Sequence, residues 1–233
     1  MRVWRVIRYA ARLGFVIDEE AGREIIAQRH LLSACSSARL FEEFCKDLLG
    51  PQARSVVTGL KNYGILHLLL GHIGEAFEAD PRLFDWACEL LDIADREKAL
   101  HRDPGLGEMT VLFFWPWVES LLAGAPPDPG AVLKMAFMDA GLAVALPKSL
   151  RAQAIDVMVL VARMRRALRT GNMRWSMRGR PQYGQASRLF FLIELHRSPQ
   201  EGESFESLFQ KAFPGNPIRE AGRRRRGRKR PEL

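Results

Sequence analysis

Seven arginines fall between Arg163 and Arg180 with no Asp or Glu among them, and Trp175 and Tyr183 lie in or beside that run. Guanidinium groups are permanently charged, planar donors that suit phosphate oxygens, and an aromatic ring beside them can stack on an unpaired base. Arg163, Arg165, Arg166, Arg169, Arg174, Trp175, Arg178 and Arg180 are therefore candidates for gripping a polyanion through its backbone, without sequence choice. The bland reading is a solvated basic face with Trp175 in a minor core. A second basic group closes the chain: Arg223, Arg224, Arg225, Arg226, Arg228, Lys229 and Arg230. It reads as a flexible polycation for RNA, for an acidic face of a partner, or for solubility alone.

Catalytic constellations are harder to find. Metal-dependent phosphoryl chemistry needs closely set carboxylates, yet the chain has no Asp-x-Asp, no P-loop lysine pattern and no G-x-G-x-x-G. Asp92 and Asp95 share a helical stretch with Arg96 and Lys98, which suggests a solvated helix face. His101-Arg102-Asp103 imitates a kinase triplet, but Glu108 stands where that site needs asparagine. His67 and His72 are five apart and do not share a helix face. Cys35, Cys45 and Cys88 are an odd number with no C-x-x-C, so they read as small apolar residues rather than a disulfide or zinc framework.

The formal net charge is +8. Residues 219–233 hold eight Lys/Arg against two Glu, so the remaining 218 residues are nearly balanced and the positive charge sits in the two arginine groups. That distribution points to a polyanionic partner. The longest apolar runs, Val111–Val118 and Val157–Ala162, are far short of the ~20 residues that span a bilayer. The start of the chain mixes Arg2, Arg5, Arg8 and Arg12 with apolar residues and does not resemble a signal peptide. No membrane association and a cytoplasmic location are expected.

The elements that must position these residues are helical nearly throughout. Val3, Val6, Ile7 and Ala10 form an apolar stripe, with the arginines on another side and Gly14 in a C-terminal left-handed position. Asp18 is placed to cap a second helix and Ser37 a third, with Ser33 and Ser36 also of capping type. Gly50-Pro51 ends that third helix and opens the next, which ends at Gly64. Asp80-Pro81 and Asp128-Pro129 each combine an N-cap with a proline at the first helical position. Thr110–Ala123 contains Pro116 and suggests a kinked or restarted helix. Ala125–Gly130, with three prolines, suggests a boundary, and Leu150–Arg169 a strong helix. The expectation is an all-α, irregular multi-helix bundle divided at 1–76, 77–213 and 214–233, the last a disordered basic tail.

Several of these stretches also resemble a known family. Residues 2–15, Arg-Val-Trp-Arg-Val-Ile-Arg-Tyr-Ala-Ala-Arg-Leu-Gly-Phe, look like the neck segment of class II tRNA nucleotidyltransferases and bacterial poly(A) polymerases. Ala38–Phe44 with Leu48-Leu49-Gly50, and Leu60–Leu66, resemble the next two signatures. Ala143–Lys148 and the arginine-rich end are similar to the poly(A) polymerase branch. Val6 replaces a usual alanine, and Ala38 an often polar residue.

What the resemblance implies is an RNA-binding C-terminal part of a polynucleotide adenylyltransferase. Arg2, Arg5 and Arg8 would border a nucleotide cleft completed by a head domain, or form a surface helix face in its absence. In the family that head carries the carboxylates and binds ATP and Mg²⁺, and its motifs do not occur in this sequence. No cofactor and no catalytic residue are expected in the chain itself. The expected partners are RNA and a helicase or RNA-degradation protein at the basic tail. The competing readings are a fragment of a CCA-adding tRNA enzyme and a helical protein-interaction scaffold.

Overall fold

The computed structural model describes residues 1–101, 103–170 and 175–197. In chain order its helices are α1 (Arg2–Leu13), α2 (Glu19–Gln28), α3 (Ser37–Leu49), α4 (Ala53–Asn62), α5 (Ile65–Leu70) and α6 (His72–Ala79). They continue as α7 (Pro81–Ala99), α8 (Leu106–Leu122), α9 (Pro129–Asp139), α10 (Lys148–Thr170) and α11 (Tyr183–Arg197). Two 3-10 segments, Arg29–Ala34 and Trp175–Gly179, complete the set. Among the described residues there is no strand, so the fold is all-α, and none of these helices is long and apolar enough to cross a membrane.

Local signals place the helix ends. Asp18, Asp80 and Asp128 accept N–H bonds from Ala21 (2.8 Å), Arg82 (3.1 Å) and Ala131 (3.1 Å), satisfying donors that have no intrahelical partner. At α3 the cap is Ser36, not Ser37: Ser36 is extended and accepts from Arg39, whereas Ser37 already has helical geometry. Gly14 and Gly64 end their helices at φ 70° and 64°, a region that favours residues without a Cβ.

Helix α8 is the centre. Every residue from Glu108 to Val118 is buried, because a helix that is apolar on all sides must be enclosed. It packs against α3, α6, α7, α9, α10 and α11. The contact with the early helices is aromatic: Phe113 lies 5.9 Å from Phe44 and 5.8 Å from Phe77, ring centre to ring centre. The contact with α9 is aromatic too, with Phe137 at 5.8 Å from Phe114 and 5.2 Å from Trp117. Such offset and edge-on pairs each add about 0.5–1.5 kcal/mol beyond their burial. Two expectations change here. Helix α8 runs as one element through Pro116, held by the surrounding helices although proline removes an N–H from the ladder. Ala125–Gly130 links α8 to the packed α9 inside one core, so it is a connection and not a boundary. The described residues all lie within one compact unit, Met1–Ser198.

Helix α1 lies close against α4. A Cβ on Gly59 would come within 2.7 Å of Ile7 Cγ2, so glycine sets this approach. A second close approach joins the α9–α10 connection to the turn between α5 and α6. His72 N–H donates to the Ala140 carbonyl (2.9 Å) and Ala143 N–H to the Leu69 carbonyl (3.0 Å). Gly71 sits between them at φ 51° and ψ −128°, where only glycine is at ease, and a Cβ there would run into the carbonyls of Ala140 and Gly141. Gly14 also has positive φ, but a Cβ on it would meet nothing within 4 Å. Gly71→Ala should therefore cost more than the roughly 1–2 kcal/mol of a left-handed backbone alone and should lower the melting temperature more than Gly14→Ala. Equal losses in thermal melts would show that the connection does not depend on this turn.

Candidate nucleic-acid interface

Three of the four arginines of α1 have three different fates. Arg2 is exposed. Arg5 is exposed over half its side chain and donates to Glu43 (2.9 Å). Arg8 is only 4% exposed and departs from the expectation of a surface face. Its Nε donates to Asp47, its Nη1 to the Glu43 carboxylate and its Nη2 to the Glu43 carbonyl (3.0 Å). The indole N–H of Trp4 donates to the other Asp47 oxygen, and Lys46 reaches Glu43 at 3.0 Å. Arg8 therefore clamps α1 to α3, and its planar fork is filled by protein acceptors.

Burial opposes every charge in this clamp, but the partners decide differently at each. Burial pushes the Glu43 carboxyl up, yet hydrogen bonds from Arg5, Arg8 and Lys46 outweigh it and hold the group down at about 2. Burial disfavours the Arg8 charge, and Asp47 and Glu43 restore it above the ordinary value. At Asp47 burial prevails and the carboxyl is raised.

Other cations cap helix C-termini, where carbonyls lack partners. Arg12 donates to the Lys46 carbonyl (2.6 Å) and Arg29 to the Tyr63 carbonyl (3.1 Å). Lys98 donates to the Leu48 and Gly50 carbonyls, both at 2.8 Å, and to Asp95 at 3.0 Å. The Asp95–Lys98 pair is thus largely buried, at 18% and 12% exposure, rather than part of a solvated face. Asp92 does lie on the surface, paired with Arg96 and Arg54. His67 and His72 are surface residues near Glu78 and Glu75. Cys88 is buried, while Cys35 and Cys45 are half-buried and all three are free thiols.

The arginines of α10 meet a different environment. A cleft of about 1340 Å³ opens between the start of α7, the end of α8, the residues leading to α9, the second half of α10 and the 3-10 segment after it. Arg82, Arg163, Arg165, Arg166, Arg169 and Arg180 line it. Arg165 is neutralised there: it pairs with Glu119 and with Glu194 (2.5 Å), and its guanidinium lies 6.0 Å from the centre of the Trp115 ring. The run without acids is therefore not without acids in space. Arg82 pairs with Asp80 at 2.9 Å. Arg163, Arg166, Arg169 and Arg180 are exposed, and among the described residues their side chains enter no ion pair.

The cleft also contains two aromatic residues that the sequence did not single out, the half-buried Trp86 on α7 and the buried Trp115 on α8. Arg178 is half-buried in the 3-10 segment. The backbone of Trp175 opens that segment. Arg174 and the group Arg223–Arg230 lie outside the described residues. No sequence signal could have found Trp86, because only folding brings the first turns of α7 beside α10.

Among the described residues no group of three or more His, Cys, Asp or Glu side chains is placed to hold a metal ion.

The clamp can be tested by its acid response. Glu43 is held below its unfolded value of 4.5, so the stability it contributes is complete above that value and is lost as pH falls toward about 2. The excess stability of the natural chain over Glu43→Gln should be constant above about pH 4.5 and shrink below it. A difference that does not change with acid would refute the assignment. Arg8→Ala leaves two buried carboxylates facing each other and should cost about 3–5 kcal/mol in denaturant unfolding.

Comparison with known proteins adds one match. Residues 14–76, running from Gly14 through α2, α3, α4 and α5 into α6, match the family model described as "Probable RNA and SrmB-binding site of polymerase A". No curated protein matches the chain significantly. The matched segment begins one residue after α1, so the α1 arginines precede it and the cleft lies beyond it. Residues 14–76 are thus similar to the segment described as the probable RNA-binding site of polymerase A.

Proposed function

We propose that this chain is the RNA-holding part of a polynucleotide adenylyltransferase of the bacterial poly(A) polymerase type, acting in RNA 3′-end polyadenylation in the cytoplasm. The observation that carries the reading is the match of residues 14–76 to the RNA-binding site of polymerase A. The order of motifs on either side, from Arg2 to Lys148, and the exposed arginines Arg163, Arg166 and Arg169 of α10 agree with it. Adenylyl transfer with ATP and Mg²⁺ belongs to a nucleotidyltransferase domain whose Asp pair this sequence does not contain. The chain's own contribution is to hold the RNA.

A protein partner is the second part of the reading, because the matched description names SrmB beside RNA. The matched segment exposes Phe15, Val16, Ile26 and Leu31, side chains suited to a protein contact. The basic group Arg223–Arg230 is the other candidate contact, toward a helicase or an RNA-degradation protein.

The purified chain should bind single-stranded RNA at low salt, with affinity falling linearly against salt on logarithmic axes. It should add no AMP to an RNA primer given ATP and Mg²⁺. Removal of residues 222–233 should weaken binding and flatten the salt slope without changing sequence preference. AMP addition would overturn the division of labour. Tight binding of tRNA with indifference to single-stranded RNA would favour a CCA-adding ancestry. Absence of RNA affinity at low salt would leave only a protein scaffold.

A further inference from the structure

We propose that the cleft between α7, α8 and α10 is a binding site for a short segment of single-stranded RNA. Arg163, Arg166, Arg169 and Arg180 would hold its phosphates and Trp86 would stack on a base. The proposal rests on the RNA-binding reading above and places the phosphate grip outside the segment that the family model matches.

Charge is the first argument. Residues 14–76 contain six Lys/Arg and eight Asp/Glu, so the matched region is net acidic. Its cations are also largely engaged. Arg29 caps α4, Lys46 pairs with Glu43, Arg54 pairs with Asp92, Arg23 pairs with Glu19, and Lys61 lies 4.0 Å over the Phe84 ring. Binding an RNA backbone requires cations that are not already neutralised by protein carboxylates, so that they can displace the counterions condensed on the RNA. The cleft supplies four such arginines on one concave surface. Two of its acids, Asp80 and Glu119, are paired with Arg82 and Arg165.

Helix dipoles do not reverse this balance. The N-terminal ends of α7 and α9 and the C-terminal ends of α8 and α10 all border the cleft, so their partial charges offset one another. The potential is left to the side chains.

Size and lining point to an unpaired strand. The volume of about 1340 Å³ exceeds the roughly 300–1,000 Å³ of small-molecule sites and suits a few nucleotides. A duplex presents its phosphates on a convex cylinder and keeps its bases stacked inside, so it cannot offer a base face to Trp86 within a concave wall. An unpaired strand can.

The test uses the full 233-residue chain and a fluorescent oligo(A) of about ten nucleotides, with a second oligo carrying aminopurine as a stacking reporter. Arg166→Glu with Arg169→Glu should weaken binding at least tenfold at low salt and reduce the salt slope by about 1.4 (about 0.7 for each lost phosphate contact). Trp86→Leu should weaken binding roughly tenfold and abolish aminopurine quenching, whereas Trp86→Phe should retain both. Arg23→Glu with Arg39→Glu, in the matched region, should have a smaller effect. Circular dichroism melts establish that each variant is folded, and the exposed Arg166 and Arg169 keep the test open if Trp86→Leu is not.

If oligo(A) binds normally to the cleft variants but not to the Arg23/Arg39 variant, the cleft is refuted while the RNA-binding reading stands. Displacement of nothing but an acidic peptide from the cleft would refute it in favour of a protein ligand. Failure of the unaltered chain to bind oligo(A) at all would refute both readings.

Discussion

Helix α8 is apolar around its whole circumference from Met109 to Val118, apart from Thr110, and this requires neighbours on every side. The bundle satisfies that requirement by bringing α3 and α6 from the first part of the chain and α7, α9, α10 and α11 from the rest against one helix. Phe113 illustrates the consequence, since it touches Phe44 and Phe77 on one side and adjoins Phe114, which meets Phe137, on the other. A segment related to polymerase A's RNA-binding site and a segment outside that match thus share a single core. The enclosure of α8 also explains why Pro116 leaves the helix intact.

A second constraint concerns positive charge. Short helices joined by tight turns leave many C-terminal carbonyls, and this fold meets several of them with Arg12, Arg29 and Lys98. Arg8 is withdrawn still further, into a buried clamp with Glu43 and Asp47 that fixes α1 against α3. A buried ion pair of this kind is better suited to fixing the arrangement of two helices than to adding net stability. Its consequence for function is that a count of arginines overstates what can face RNA. Arg8, Arg12 and Arg29 hold helices, and Arg165 is held between two glutamates.

Once those cations are set aside, the contrast between the two regions becomes a physical one. The segment related to the polymerase A site is net acidic and presents exposed apolar side chains. The cleft formed by α7, α8 and α10 is basic, concave and lined by tryptophan. A surface of the first kind suits a protein neighbour and one of the second kind suits a flexible polyanion.

The sequence by itself determined the helical class, most of the helix ends, and the concentration of basic charge. Those properties are local: a 3.6-residue period, an Asp-Pro cap or a left-handed glycine is decided within a few residues. The segment related to polymerase A was also legible, because its signature helices keep their order along the chain. Tertiary structure alone decided which arginines are available. Arg8 and Arg163 look alike in sequence, each among apolar neighbours on a helix. One meets Glu43 and Asp47, 35 and 39 residues away, and the other meets no carboxylate among the described residues. Trp86 and Trp115 became cleft residues for the same reason. Partnership between side chains depends on distances in space that packing sets, and packing here is governed by the need to cover one wholly apolar helix.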